Sequence, residues 1–545
     1  MRVFCSIICF SACLAFISCS KRKADLVIYN GKIYTVDSAF SKAEAMAVED
    51  GKIIETGTSE GIRGKYTGQK EIDLGGKVVY PGFIDAHCHF FAYGTLLMKA
   101  NLAGTQTYKE VLDSVVGFAS RNKLSWILGF GWDQNDWPVQ DYPDRKELDS
   151  LFPNTPVMLN RIDGHAVLCN DAALRLAGIG PSTKVEGGEV VVKNGWVTGV
   201  LIDNAVELVR SHQPKFTEAI FREALLKAQE RCFGAGLTTV CDAGLGVDSI
   251  LLIKHMQDEG KLKIRIYAMA SDVDSSRSYF VRNGPISTPL LSVRSFKLYA
   301  DGALGSRGAC MLEPYADQPG HSGFLLHERE QLLKVARLAY DNGFQLNTHC
   351  IGDSGVRTIL GIYKEVLKYK NDRRWRLEHC QVVHPDDLGT FTAFKIIPSV
   401  QPTHATSDMY WAAERIGQRV KYGYAYKDLL DAAGIVAFGT DFPVEGINPL
   451  ATFYAAVERK DSKGYPPGGF QPENKVTREQ ALRAMTGWAA YSCFQENEKG
   501  SLEKNKYADF VVLDRDIMQV PGNELLNTKV LATFSNGELV SGNIQ

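Results

Sequence analysis

The chain has 545 residues, 45% hydrophobic and 23% charged, with a formal net charge of -2. That length is too great for one ordinary core and suits a large barrel with an accessory domain. The near-neutral balance, with no basic cluster in the body of the chain, excludes the electrostatic footprint of a nucleic-acid-binding protein.

At the start, Arg2 precedes an apolar run over residues 3–17. The run is too short to cross a bilayer as a stable helix and right for a signal peptide. It ends Phe16-Ile17-Ser18-Cys19 and is followed by Ser20-Lys21-Arg22-Lys23. This resembles a bacterial lipoprotein signal over residues 1–19, in which Cys19 is cleaved and acylated. The resemblance implies export to the periplasmic side of a membrane, with a lipid anchor as the only membrane contact. Phe16 stands where Leu is more usual in such signals, which leaves plain secretion open. Four of the twelve cysteines fall in this leader. An exported chain can bridge the remainder. However, Cys88, Cys350 and Cys380 each follow a candidate ligand histidine on a strand and are expected to face the surrounding helices.

Residues 24–36 read as a hairpin turning at Asn30-Gly31, and residues 46–54 as another turning at Asp50-Gly51. The pattern returns at the far end over 508–513, 530–534 and 538–540, around Asn536-Gly537. Neither end has enough strands to bury a face alone, so 24–80 and 500–545 are expected to form one composite β-sandwich.

Between them lie eight short apolar runs separated by helical stretches: 78–87, 237–242, 264–270, 295–299, 344–349, 375–379, 396–401 and 435–441. Eight parallel strands with intervening helices make a (β/α)8 TIM barrel, placed at 81–460, whose active site sits at the C-terminal strand ends. Residues 461–499 then form a helical connection. The gap after the first run is too long for a simple crossover, and residues 104–214 read as an insertion over the catalytic face. In that insertion Trp132 and Trp137, with Phe90 and Phe91 nearby, are candidate walls of an apolar substrate pocket. The competing role for each is packing within the insertion.

The first barrel run ends Asp85-Ala-His87-Cys-His89, and in an extended strand His87 and His89 share a face, where they can grip one metal ion. Residues 295–302 put Lys297, Tyr299 and Asp301 on one strand face; from the residues alone Lys297 ranks as a substrate-binding cation. Asn347-Thr-His349, Leu377-Glu-His379 and Phe438-Gly-Thr-Asp441 supply further ligands at strand ends. Nitrogen and carboxylate donors of this kind suit zinc, and less exclusively iron, manganese or cobalt. Four more residues are weighed for the site. His165 is a donor to a substrate carbonyl or a structural histidine, and Arg307 binds substrate or pairs with a carboxylate. Gln401 and His404, beyond the seventh run, are weighed as supporting residues, Gln401 also as a substrate contact, with a purely structural role favoured for His404.

With these motifs together, the chain resembles the amidohydrolase superfamily, in the branch that includes N-substituted formamide deformylases. The resemblance runs from His87-Cys-His89 through Phe296-Lys-Leu, Thr348-His-Cys, Glu378-His-Cys-Gln and Gly439-Thr-Asp-Phe-Pro to Lys499-Gly-Ser-Leu. It implies a divalent metal centre of one or two zinc ions. His87 and His89 would bind one ion and His349 and His379 a second, with Lys297 carboxylated between them. Asp441 would be ligand and general base. The implied activity is hydrolysis of a C–N bond, other than a peptide bond, in a small amide-like molecule. A deaminase or lactonase on the same scaffold is the alternative among enzymes, and a non-catalytic binding lipoprotein the alternative outside them. A homodimer is left open.

Overall fold

Pro81-Gly82 divides the first apolar run into two strands that serve different layers. The computed structural model describes residues 21–122, 124–368 and 371–544, so the expected leader and Cys19 lie outside the described residues. Val78–Pro81 joins a sheet with chain from the far end, Val79 opposite Val512. Phe83–Cys88 instead begins the barrel. The break passes so close to the second barrel strand that a Cβ on Gly82 would lie 2.3 Å from Thr238 Oγ1.

The barrel strands are β1 (Phe83–Cys88), β2 (Leu237–Leu245), β3 (Arg265–Ser271), β4 (Leu291–Tyr299), β5 (Gln345–Cys350), β6 (Arg376–His379), β7 (Ile397–Val400) and β8 (Ala437–Phe438). Each is parallel to its neighbours in that order. Past the end of β8, Asp441 N–H donates to His87 O at 2.8 Å and His89 N–H donates to Phe442 O at 2.8 Å, which closes the ring against β1. The chain therefore folds as a (β/α)8 barrel, and each of the eight apolar runs overlaps one of its strands. The strands read clearly in sequence because both their faces are buried, one by the barrel interior and one by helices. The helices are amphipathic: Arg329–Asp341 buries Leu332, Val335, Ala336 and Ala339, one stripe at helical spacing. Glu218–Gly234 is capped by Thr217, whose side chain accepts from Ile220 N–H.

The terminal segments form two further sheets. One is four-stranded and wholly N-terminal: Lys52–Gly57, Ala45–Glu49, Arg22–Tyr29 and Tyr66–Asp73. The other is six-stranded and joins Lys42–Ala43, Lys32–Tyr34 and Val78–Pro81 to Phe510–Leu513, Val530–Ser535 and Glu538–Gly542. Leu26, Ile28, Met46 and Val48 from the first meet Ile33, Val79, Val512 and Phe534 from the second in one core.

Residues 24–36 are not a hairpin. Their two strands lie in different sheets, and Asn30, at φ 54°, turns a corner between them. Leu26 and Ile33 thus reach the same core from opposite sides. The other Asn-Gly and Asp-Gly turns do close hairpins. Glu49 pairs with Lys52 around Asp50-Gly51, and Ser535 with Glu538 around Asn536-Gly537.

The insertion is an α/β unit with a six-stranded sheet, ordered Gly188–Lys193, Trp196–Asp203, Ala166–Cys169, Val157–Arg161, Ile127–Trp132 and Ala100–Asn101. It has its own apolar cores on the two faces of that sheet. After the barrel, Arg478–Ala484 and Gly487–Ser492 pack beneath it: Gln345 Nε2 donates to Ser492 O at 2.9 Å and Arg374 Nη1 to Tyr491 O at 2.8 Å. Among the described residues no helix is long and apolar enough to cross a membrane.

Candidate metal centre

β1 aims Asp85 and His87 inward. Asp85 accepts from the Thr440 amide (3.0 Å), the Thr440 hydroxyl (2.6 Å) and the His87 amide (3.1 Å), which ties β1 to the end of β8. Burial pushes this carboxyl up to about 7. His87 is wholly buried, and its Nδ1 bonds Glu378 Oε2. Glu378 is held in turn by Arg376, Nε to Oε1 at 2.7 Å and Nη2 to Oε2 at 2.9 Å. Arg376 also donates to Ala86 O at 2.6 Å and to the Ser399 hydroxyl at 2.8 Å. Burial alone would raise the Glu378 carboxyl, but Arg376 and His87 outweigh it and hold the group far below the usual carboxylate range. An ionised Glu378 keeps the proton of His87 on Nδ1, so the Nε2 lone pair faces the centre.

Around that lone pair stand the other strand-end groups. Lys297 Nζ is 3.2 Å from His87 Nε2. Asp441 Oδ1 is 3.7 Å from His87 Nε2 and 3.2 Å from His89 Nε2. His379 Nδ1 donates to Gln401 Oε1 at 2.8 Å, and its ring lies 4.5 Å, centroid to centroid, from that of His349. His404 Nε2 is 3.5 Å from Asp441 Oδ2. Two of these placements depend on backbone that leaves the strand in the left-handed region, His379 at φ 73° and Asp441 at φ 63°. That turn is why Glu378 and His379, adjacent in sequence, both face the centre. Non-glycine residues held there are costly and cluster at functional sites.

Two sets of donor atoms lie within 4.8 Å of one another, His87–His89–Asp441 and His379–His404–Asp441, sharing Asp441. His404 thus stands with His379 and Asp441, and His349, expected from sequence to share an ion with His379, lies beside them. His404 lies in the first turn of the helix Pro402–Asp408 after β7, a position whose direction no strand alternation reveals.

A divalent metal fits these residues. His349 Nε2 and His404 Nε2 are buried with no hydrogen-bond partner among the described residues, a state a bound cation would relieve. Burial, reinforced by Lys297, brings His87 down to about 4 and His349 down to about 3, and His379 falls well below the ordinary value for the same leading cause. The imidazoles are therefore neutral, with lone pairs free to coordinate. Burial would raise Asp441, yet the His89 hydrogen bond with His87 and His404 holds its carboxyl well below the usual range. Burial brings Lys297 down to about 8, with Glu378 and Asp441 pulling partly the other way.

Above the centre is a cavity of about 400 Å³, lined by these groups with Tyr299, Leu304, Ile351, Trp411, Val444 and Glu445. The expected substrate contacts are mostly elsewhere. Trp132 and Trp137 are buried in the core of the insertion, their indole N–H groups donating to Leu159 O at 2.8 Å and Thr105 O at 3.0 Å. Their apolar area and their polar tips are both satisfied there. Phe90 is likewise buried in the barrel core, and Phe91 packs on Phe221. His165 is exposed on the insertion, paired with Asp203 at 2.9 Å. Arg307 is paired with Asp317 at 2.7 and 3.1 Å. Gln401 orients His379 rather than lining the cavity. Trp411, to which the sequence drew no attention, lines it. Glu378 and Arg376 were also missed as a pair, although charges at alternate positions of a buried strand are a signal that they share an inward face.

Trp132→Ala is therefore expected to destabilise the protein by about 3–5 kcal/mol and to leave relative kcat/KM values across substrates unchanged. Denaturant unfolding together with a small-versus-aromatic substrate series checks both halves.

The chain matches the amidohydrolase family over residues 70–541. It is 32% identical to the protein LONG AFTER FAR-RED 3 of Arabidopsis thaliana, over 94% of this chain and 91% of that one. It is 29% identical to the N-substituted formamide deformylase of Arthrobacter pascens, over 94% of this chain and 98% of the other. A crystal structure of an uncharacterized metal-dependent hydrolase from Pyrococcus horikoshii OT3 superposes with a TM-score of 0.75 at 29% identity, covering 91% of this chain and 99% of that one. Strand-end histidines and a carboxylate gathered on a (β/α)8 barrel, with a family match across nearly the whole chain, make this protein a hydrolase of the amidohydrolase family.

Proposed function

We propose that the protein hydrolyses a C–N bond in a small amide-like molecule, with N-acyl and N-formyl compounds as the substrate class. The observation that carries this reading is Asp441, an ionised carboxylate shared by two sets of donors at the base of a cavity of about 400 Å³. Similarity to a protein named as an N-substituted formamide deformylase supports the choice of bond.

His87, His89, His379 and Asp441 would hold divalent metal, one or two zinc ions, with His349, His404 and Lys297 completing the donor set. When bound, such a metal supplies Lewis acidity toward a carbonyl oxygen and brings the pKa of water toward neutrality. The chain's own groups do the rest. Asp441 takes the proton of the attacking water and delivers it to the departing nitrogen. Glu378 and Gln401 fix the tautomers of His87 and His379, so that both rings keep one nitrogen free. With Lys297 brought down to about 8, roughly one amine in ten is neutral at pH 7. That neutral amine adds to CO2: an N–C bond forms, one N–H proton passes to solvent, and the cation becomes an anionic carbamate suited to metal.

The test is product analysis on zinc-, manganese- and cobalt-loaded protein with N-formyl amines, N-acyl amines, amino-heterocycles and lactones. Release of a free amine and a carboxylate from the first two groups is expected. Ammonia release or lactone opening, with no amide turned over, refutes the assignment.

A further inference from the structure

Below the metal centre, two cysteines that the proposed hydrolysis does not use lie side by side. Cys241 is on β2, and Cys493 follows the helix Gly487–Ser492 that packs under the barrel. Both are buried, in a cluster with Ala243, Tyr267 and Met269. Their Sγ atoms are 3.2 Å apart although the residues are 252 positions apart in the chain. A disulfide has an S–S length near 2.05 Å, so about 1.2 Å of approach separates the thiol pair from a bond.

Their surroundings favour thiolate on one side of the pair. Arg376 Nη1 is 3.9 Å from Cys493 Sγ, and the buried Lys499 adds a second positive group. Burial alone would raise the Cys493 thiol, but the Cys241 hydrogen bond and Arg376 bring it down to about 7. Cys241 is pushed well above its ordinary value by burial. In the docked fold, Cys493 is therefore the side of the reduced pair that favours thiolate. The same Arg376 holds Glu378, and Glu378 holds His87, so the pair adjoins the hydrogen-bonded chain beneath the active site.

We propose that Cys241 and Cys493 are a disulfide site, oxidised by an external disulfide of the oxidised-glutathione or thiol–disulfide oxidoreductase class. The Cys493 thiolate attacks one sulfur of the donor disulfide and expels a thiolate, leaving a mixed disulfide on Cys493. Cys241 gives up its proton and attacks Cys493 Sγ, expelling the second donor sulfur. One S–S bond breaks in the donor and one forms in the protein. The two electrons and two protons leave with the donor as two thiols. Because both sulfurs are buried once the C-terminal segment has docked, the exchange belongs to folding, before that segment closes the barrel. The finished bond ties strand to segment across a loop long enough to constrain the unfolded chain strongly.

Peptide mapping of the full-length protein tests this. The chain is refolded with oxidised glutathione, denatured in excess iodoacetamide without reductant, digested and mapped by mass spectrometry. Cys169, buried in the insertion, is the internal control. The expected result is a linked Cys241–Cys493 peptide pair, with neither residue alkylated until reductant is added first, while Cys169 is alkylated throughout. Reduction should lower the Tm of the wild type, and that shift should vanish in Cys241→Ala and Cys493→Ala. Alkylation of Cys241 and Cys493 to the extent of Cys169 without reductant overturns the proposal, as does a link from either to a different cysteine. Should an alanine variant fail to fold, the wild-type peptide map decides alone.

Discussion

Asp441→Asn is expected to lower kcat by roughly 10²–10⁴-fold, the range for removing a positioned general base, while the barrel stays folded. Asparagine keeps the size of the side chain, and the backbone bond from residue 441 to His87 O does not depend on the carboxylate. What disappears is the acceptor for the water proton and the negative charge that faces His87, His89 and His404. The measurement is steady-state kinetics at saturating metal, beside a circular dichroism melt. Chelation of the wild type should produce a loss of the same order, reversed by adding divalent metal. A variant within twofold of wild type would remove Asp441 from the chemistry. Full activity after exhaustive metal removal would remove the metal centre itself.

Glu378→Ala is expected to damage stability and metal binding together. Arg376 is wholly buried and its charge is answered by Glu378, so truncating the carboxylate leaves a guanidinium unpaired in the interior. Breaking a buried pair in this way typically costs about 3–5 kcal/mol. The same change frees His87 Nδ1, and loss of such an orienting partner typically weakens metal affinity about 10–100-fold. The two effects separate in a double variant. Adding Arg376→Met to Glu378→Leu removes both charges and should return much of the stability, because a matched apolar pair can replace a buried ion pair. Metal affinity should stay low, since nothing then holds the His87 tautomer. Denaturant unfolding and metal titration read the two quantities independently. Unchanged metal affinity in Glu378→Ala would show that His87 needs no such support.

How much of this was visible in the sequence depends on the range of the interaction that decides each feature. The eight barrel strands were legible because a strand buried on both faces is a continuous apolar run, and His87 and His89 were legible because alternation puts them on one face. The hairpins at Asp50-Gly51 and Asn536-Gly537 were legible for a similar reason, since a two-residue turn needs only its own residues. Asn30-Gly31 carries the same local signal yet turns a corner, because the strands on either side find partners in different sheets.

Trp132 and Trp137 show the same limit at the candidate site. Sequence places aromatic residues in an insertion near the barrel mouth, but only packing decides whether a ring faces substrate or its own core, and here Leu159 and Thr105 accept both indole N–H groups. Glu378 and Arg376 are two residues apart, but their importance comes from His87, 291 positions from Glu378. The backbone turns that bring His379 and Asp441 to the centre have no compositional mark.

By itself, the sequence determined the class of fold, the strand ends that bear candidate ligands and the residue types available for metal chemistry. Periodicity, turn preference and ligand chemistry are properties of a few neighbouring residues. The tertiary structure alone decided which sheet each terminal strand joins, that His404 stands with His379 and Asp441, and that Arg376 supports Glu378. Those outcomes rest on contacts between residues far apart in the chain, whose energies exist only once the barrel has closed.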